Sequence, residues 1–154
     1  MRSDRPGKAR ETMLGHKMNC AQAVFTSFSE DLGVDLKTAL RLAQGFGGGM
    51  HIGGTCGAVT GAYMALGLAQ KFNPDNPREM VDKTYDLMRE FNRRFNAVHG
   101  ALNCTELTGY DLTRPEEAEK ARAAGVFATR CPDFVADAVK IVEELLKVEK
   151  KDVR

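Results

Sequence analysis

The stretch "CGAVTGAYMALGLA", residues 56–69, constrains the fold more than any other part of the chain. Its small residues recur at every fourth position, so Gly57, Gly61, Ala65 and Ala69 share one face of an α-helix. A face without large side chains lets a neighbouring helix approach closely. Because the segment is almost entirely apolar, we expect it to form a buried central helix, which the pattern extends to about residue 72.

The rest of the chain predicts helices and no strands, because no run of residues alternates between apolar and polar. At 154 residues and 43% hydrophobic content, the chain fits one domain with its own core. We expect an all-α, compact single-domain bundle of about five to seven helices with a glycine-rich loop before the central helix. Residues 1–7 are expected to form a loosely ordered tail. The helices are predicted over residues 8–15, 20–32, 36–44, 56–72, 79–99, 115–124 and 132–148, with a short one after residue 103.

Charge and hydropathy exclude several classes of partner. The 22 basic residues are balanced by 21 acidic ones, so no nucleic acid is expected as the main partner. The longest apolar stretch, about a dozen residues, is too short for membrane insertion. The first residues, "MRSDRPGKARETM", lack the apolar region of a secretory signal, so we expect a cytoplasmic protein whose thiols are kept reduced.

Glycine is concentrated just before the central helix, in "GFGGGMHIGGTCG". Such a cluster indicates backbone that approaches another group closely or takes positive φ angles. No Lys-Ser or Lys-Thr pair follows and no strand precedes it, so it is not a phosphate-binding loop. Gly53, Gly54, Gly57 and Gly61 are the candidate cofactor-binding positions, and Gly57 and Gly61 are also expected to serve close helix packing.

The four cysteines all fall at predicted helix starts. Cys20 in "NCAQ" and Cys104 in "NCTE" each follow an asparagine cap that has Gln or Glu three residues later. Cys56 follows a threonine that could cap the central helix, and Cys131 precedes a proline, which places it at a cap position. The amino end of a helix stabilises a thiolate, which is both the nucleophile and the metal ligand.

Three functions are compatible with this pattern. In the first, a thiol redox protein, Cys56 is the low-pKa thiol, Cys20, Cys104 or Cys131 forms a disulfide with it, and a redox partner protein exchanges electrons with the pair. In the second, the four cysteines, with His51 as a further candidate, ligate zinc or an iron–sulfur cluster. In the third, the chain is a non-catalytic helical module that binds a partner or small ligand, and its cysteines are buried core residues. A homodimer is also considered.

Four segments, "NCAQAVF", "CGAVTGA", "NCTELTG" and "RCPDFVADAVKIVEEL", resemble in order and approximate spacing the redox-active proteins of the C-GCAxxG-C-C family. Proteins of that family carry four cysteines and a C-G-A-x-x-G motif, here filled by Cys56, Gly57, Ala58 and Gly61. The resemblance spans about residues 18–146. It implies that the four cysteines act as one redox or metal-ligating set in electron transfer. The chain has no C-x-x-C-H, so no covalently bound haem is expected.

Overall fold

The computed structural model describes residues 4–152, apart from the side chains of residues 16 and 148–152. Within this range the chain is all-α, as predicted, and its one β-type pairing is an isolated bridge between Thr55 and Asn103. The helices are α1 (Arg5–His16), α2 (Cys20–Ser29), α3 (Leu36–Ala43), α4 (Gly57–Leu68), α5 (Pro77–His99), α6 (Cys104–Thr108), α7 (Pro115–Ala123), α8 (Val126–Thr129) and α9 (Cys131–Asp152).

Helix α1 begins earlier than the sequence predicted. The side chain of Asp4 accepts a hydrogen bond from the N–H of Gly7 at 2.9 Å and caps the helix, and a proline occupies its first turn. Residues 5–7 of the predicted tail are therefore helical, while residues 1–3 lie outside the described residues. The side chain of Arg5 anchors this end of α1 through ion pairs with Asp31 at 2.8 Å and Glu143 at 2.9 Å.

The predicted short helix after residue 103 is α6, and the four-residue helix α8 was not predicted. Two helices also end earlier in the chain than predicted. Helix α2 stops at Ser29 because the chain turns there and then takes a left-handed conformation at Gly33, with φ of +88°. Helix α4 stops at Leu68, four residues before the predicted end, and Ala69 is its C-cap.

Helix α4 lies at the centre of the bundle. It packs against α2, α5 and α9, while α1 covers α2 and α9 from the outside. The largest fully buried side chains come from these helices: Val24, Val59, Leu66, Phe91, Phe95, Val135, Val139 and Val142. None of the helices in the described range has both the length and the apolar content that a membrane span requires.

The contact between α2 and α4 is close enough to need glycine. A Cβ atom on Gly61 would lie 2.7 Å from the carbonyl oxygen of Ala21 and 3.0 Å from the Cβ of Val24. A Cβ atom on Gly57 would lie 2.9 Å from the backbone nitrogen of Ala21. Ala65, on the same face of α4, is fully buried. The predicted face of small residues therefore exists, and α2 covers the backbone at Gly57 and Gly61, where a cofactor had been considered.

Candidate functional site

The fold brings the four cysteines together. Each lies at the amino-terminal end of a helix: Cys20 in α2, Cys56 beside α4, Cys104 in α6 and Cys131 in α9. All four are free thiols. The thiol of Cys20 donates a hydrogen bond to that of Cys56 and lies near that of Cys131, and Cys104 lies close enough to Cys56 and Cys131 for their charges to act on it. We call these four side chains the thiol cluster.

Cys20 is placed by a helix cap and by a glycine on the opposite helix. The side chain of Asn19 accepts from the N–H of Gln22 at 2.9 Å, and the side chain of Gln22 accepts from the N–H of Asn19 at 3.1 Å. This is the predicted capping box, and it fixes Cys20 as the first residue of α2. A Cβ atom on Gly57 would lie only 3.1 Å from the Cβ of Cys20. The absence of a side chain at Gly57 thus lets Cys20 reach Cys56.

Cys56 and Cys104 are held beside each other by the backbone bridge. The N–H of Cys56 donates to the carbonyl of Leu102 at 2.8 Å, and the N–H of Cys104 donates to the carbonyl of Gly54 at 2.7 Å. Because Thr55 pairs in this bridge, it does not cap α4. Cys56 is the N-cap residue instead, one position from the prediction.

The glycine-rich loop folds over Cys104 in a left-handed turn. Four consecutive residues, Gly48, Gly49, Met50 and His51, have φ angles between 60° and 62°. A Cβ atom on Gly49 would lie 2.5 Å from backbone atoms of Gly54 and 2.9 Å from the Cβ of Cys104. Both predicted reasons for glycine, positive φ and close approach, therefore apply in this loop. Met50 and His51 adopt the same conformation without being glycine, which costs about 1–2 kcal/mol per residue.

Gly53 and Gly54 use their backbone groups to hold the loop on α6. The N–H of Gly54 donates to the carbonyl of Gly49 at 3.0 Å, and the hydroxyl of Thr105 donates to the carbonyl of Gly53 at 3.2 Å. A Cβ atom on Gly53 would lie 2.3 Å from the Thr105 hydroxyl oxygen. The amide of Gly54 that the sequence suggested for a cofactor is thus engaged within the protein. The role of Thr105 has no local sequence signal.

Cys131 is tied to α6 by its neighbour in the chain. Arg130 donates through Nη1 to the carbonyl of Thr108 at 3.2 Å, and the hydroxyl of Thr108 donates to the carbonyl of Cys104 at 2.8 Å. Cys131 is the first residue of α9 rather than its cap, and Pro132 follows it as a fully buried residue. These contacts join the starts of α6 and α9. Sequence reasoning missed Arg130 and Thr108, which are distant in the chain.

The thiols differ in pKa because their surroundings differ. The hydrogen bond from Cys20 lowers the pKa of Cys56; burial opposes this effect, while the amides of Ala58 and Val59 at the start of α4 add to it. The pKa of Cys20 is raised well above its ordinary value by its interactions with the thiols of Cys131 and Cys56 and by burial. Burial raises the pKa of Cys104 to about 12, and the neighbouring thiol charges act in the same direction. Cys56 is therefore the thiol that ionises before Cys20 and Cys104.

Histidine 51 does not join the cluster. Its side chain is exposed in the glycine-rich loop, whereas Cys56, Cys104 and Cys131 are buried. Among the side chains that the structure describes, no group of three or more from His, Cys, Asp and Glu is arranged to hold a metal ion. Zinc and iron–sulfur binding remain predictions from the sequence.

A family model described as "Putative redox-active protein (C_GCAxxG_C_C)" matches residues 18–145, a range that contains all four cysteines. The chain belongs to this family. No curated protein and no solved structure matches the chain. Membership in the C_GCAxxG_C_C family confirms the resemblance found in the four cysteine segments and supports redox activity as the general function.

The structure gives a physical reason for the C-G-A-x-x-G segment of this C_GCAxxG_C_C protein. Cys56 begins the segment at the end of α4 that meets the thiol cluster. Gly57 and Gly61 form the face that α2 touches, and Ala58 is fully buried on the core side. The segment thus combines a thiol at a helix start with the two glycines that bring α2, and Cys20 with it, into contact.

Proposed function

We propose that the chain is a thiol–disulfide redox protein in which Cys56 is the reactive thiolate and Cys20 is its disulfide partner. The observation that carries this proposal is the hydrogen bond between the two thiols at the glycine contact of α2 and α4. A thiolate stabilised by a donor and by a helix amino end forms at a lower pH than an ordinary thiolate, and the thiolate is the nucleophile in disulfide exchange. The neighbouring thiol is in place to close a disulfide.

The proposed reaction transfers two electrons to a disulfide of a redox partner. The Cys56 thiolate attacks one sulfur of that disulfide, whose S–S bond breaks and releases the other sulfur as a thiolate. The sulfur of Cys20 then attacks Cys56 in the mixed disulfide, gives its proton to the released thiolate, and expels the second partner sulfur. The products are a Cys20–Cys56 disulfide and two reduced partner sulfurs. The reverse sequence reduces the protein.

The contact between the thiols favours Cys20 over Cys104 as the disulfide partner of Cys56. As a whole residue Cys20 is partly exposed, whereas Cys56, Cys104 and Cys131 are 4%, 7% and 6% exposed. Acidity does not separate the two thiols, because the pKa of Cys20 is raised well above its ordinary value and burial raises the pKa of Cys104 to about 12. Cys104 is linked to Cys56 through the backbone bridge, whereas the thiol of Cys20 makes a hydrogen bond with the thiol of Cys56.

The test is a thiol count combined with disulfide mapping. The reduced full-length chain is treated with oxidised glutathione, quenched in acid, denatured and alkylated, and the linked peptides are identified by mass spectrometry. We expect the first species to lack two thiols, to contain a Cys20–Cys56 link, and to recover both thiols with reductant. Cys104→Ser is the matched control and should lose two thiols in the same way. An unchanged thiol count in the wild-type chain would refute the proposal.

Metal analysis of the same protein tests the alternative. Thiolates are ligands for zinc and iron–sulfur clusters, and the thiol cluster contains four cysteine sulfurs. Protein purified without oxygen is analysed for zinc and iron and for visible absorbance. A stoichiometric metal that is lost when Cys20 or Cys56 is replaced by serine would replace the redox proposal with metal binding.

A further inference from the structure

We propose that the thiol cluster contains a second disulfide position, Cys20–Cys131, to which the oxidised state moves from Cys20–Cys56 by internal thiol–disulfide exchange. This inference rests on the proposed function, because it begins from the Cys20–Cys56 disulfide. It assigns Cys131 a distinct part in the reaction, as the thiol that releases Cys56. Cys20 is the sulfur that both disulfides share.

The position of Cys20 carries the inference. Its thiol donates a hydrogen bond to the thiol of Cys56 and lies close enough to the thiol of Cys131 to interact with it. Cys20 is the first residue of α2, and α2 packs against both α4 and α9, whose starts bear the other two cysteines. Both neighbours are held in place, Cys56 by its backbone bond to Leu102 and Cys131 by the contact of Arg130 with α6. The two thiols thus approach Cys20 from different helices.

The exchange balances without an added oxidant. The thiol of Cys131 loses its proton to solvent, and its sulfur attacks the Cys20 sulfur of the Cys20–Cys56 disulfide. A Cys20–Cys131 bond forms, the Cys20–Cys56 bond breaks, and its electron pair leaves on Cys56 as a thiolate. One proton is released and the number of disulfides stays at one.

The pKa values of the two possible leaving thiols determine which sulfur of the disulfide Cys131 attacks. A sulfur leaves faster when the pKa of its thiol is lower. Attack on Cys20 expels Cys56, whose pKa the cluster and the helix amides lower, whereas attack on Cys56 would expel Cys20, whose pKa is raised. The exchange therefore releases Cys56 as a free thiolate, ready for a second partner disulfide.

A time course of disulfide mapping tests the relay. Reduced wild-type chain is mixed with a limiting amount of oxidised glutathione, samples are quenched in acid at intervals, and linked and alkylated cysteines are identified by mass spectrometry. We expect the Cys20–Cys56 link to form first and then to become the minor species as the Cys20–Cys131 link and free Cys56 rise. Cys131→Ser should retain the Cys20–Cys56 link. Cys104→Ser, the matched control for loss of a buried cysteine, should follow the wild-type course.

The wild-type time course decides the question even if a variant folds poorly. A Cys20–Cys56 link that persists while Cys131 remains alkylated overturns the relay and leaves the proposed function standing. Absence of any link to Cys56 at all times overturns the proposed function and the relay with it. Formation of Cys20–Cys131 at the same rate in Cys56→Ser as in the wild type also overturns the relay, because the link would then not depend on the first disulfide.

Discussion

Replacing Gly61 with alanine adds a methyl group at the contact that positions the thiol cluster. The new Cβ would lie 2.7 Å from the Ala21 carbonyl oxygen and 3.0 Å from the Val24 Cβ, so α4 must move away from α2. Overpacking of this kind costs about 1–3 kcal/mol. The higher helix propensity of alanine offsets this cost by up to about 1 kcal/mol. The free energy of unfolding should therefore fall by up to about 2 kcal/mol.

Gly67→Ala is the control for the helix propensity that is gained when glycine is replaced by alanine. Gly67 lies in the same helix, and a Cβ atom there would come no closer than 3.7 Å to another side chain, that of Thr84. Both variants gain the same propensity, so Gly61→Ala should be less stable than Gly67→Ala by about 1–3 kcal/mol. For a domain of this size, that difference corresponds to a gap of about 2–12 °C in melting temperature. Chemical and thermal denaturation measure it.

Gly61→Ala and Gly67→Ala also test how the contact between α2 and α4 affects the pKa of Cys56. Moving α4 away from α2 lengthens the hydrogen bond between Cys20 and Cys56, so the pKa of Cys56 should rise and its alkylation at neutral pH should slow in Gly61→Ala. Gly67→Ala should alkylate at the wild-type rate. The reasoning is refuted if both variants unfold at the same denaturant concentration and Cys56 reacts equally fast in each.

Three further outcomes are expected. Cys56→Ser should remove the thiol that iodoacetamide modifies fastest at neutral pH, whereas Cys104→Ser should leave that fast phase intact; equal effects would contradict the assignment. Asn19→Ala should break the capping box of α2 and lower the free energy of unfolding by about 1 kcal/mol in chemical denaturation, and an unchanged midpoint would argue against the cap. Burial raises the pKa of Cys104 from an ordinary value of 9.0 to about 12, so the folded state keeps the thiol protonated while the unfolded chain ionises it. Its stabilising contribution is intact below pH 9 and is lost as the pH rises from 9 to 12. The melting temperature of Cys104→Ser should therefore fall less steeply than that of the wild type over this range, and parallel curves would contradict the linkage.

Local sequence signals predicted the starts of the four helices that carry cysteines to within one residue, because caps depend on residues three or four positions apart. Asn19 and Gln22 form the expected box around Cys20. Asn103 is the cap residue of α6, although its side chain makes no capping hydrogen bond. The small-residue face of α4 was also predictable, since a four-residue repeat is a local property. Gly61 shows that this face serves the contact with α2.

Contacts between distant parts of the chain could not be predicted in the same way. The pairing of residues 54–56 with residues 102–104 places Cys56 and Cys104 together and shifts the start of α4 by one residue. It depends on how the loop folds, and no local pattern encodes it. The same holds for the choice of Cys20 as the thiol that touches both Cys56 and Cys131. Met50 and His51 adopt left-handed angles that their residue types disfavour, so their conformation follows from the surrounding loop.

The most direct test of the proposed redox pair is the pKa of Cys56, measured from its alkylation rate as a function of pH in the wild type, Cys20→Ala and Cys20→Ser. Cys56 should ionise below the ordinary thiol value of 9.0 in the wild type, because Cys20 donates a hydrogen bond to it. Cys20→Ala should raise that pKa, and Cys20→Ser, whose hydroxyl can still donate, should restore part of the shift. The same pKa in all three proteins, or a wild-type value of 9.0 or above, would contradict the account.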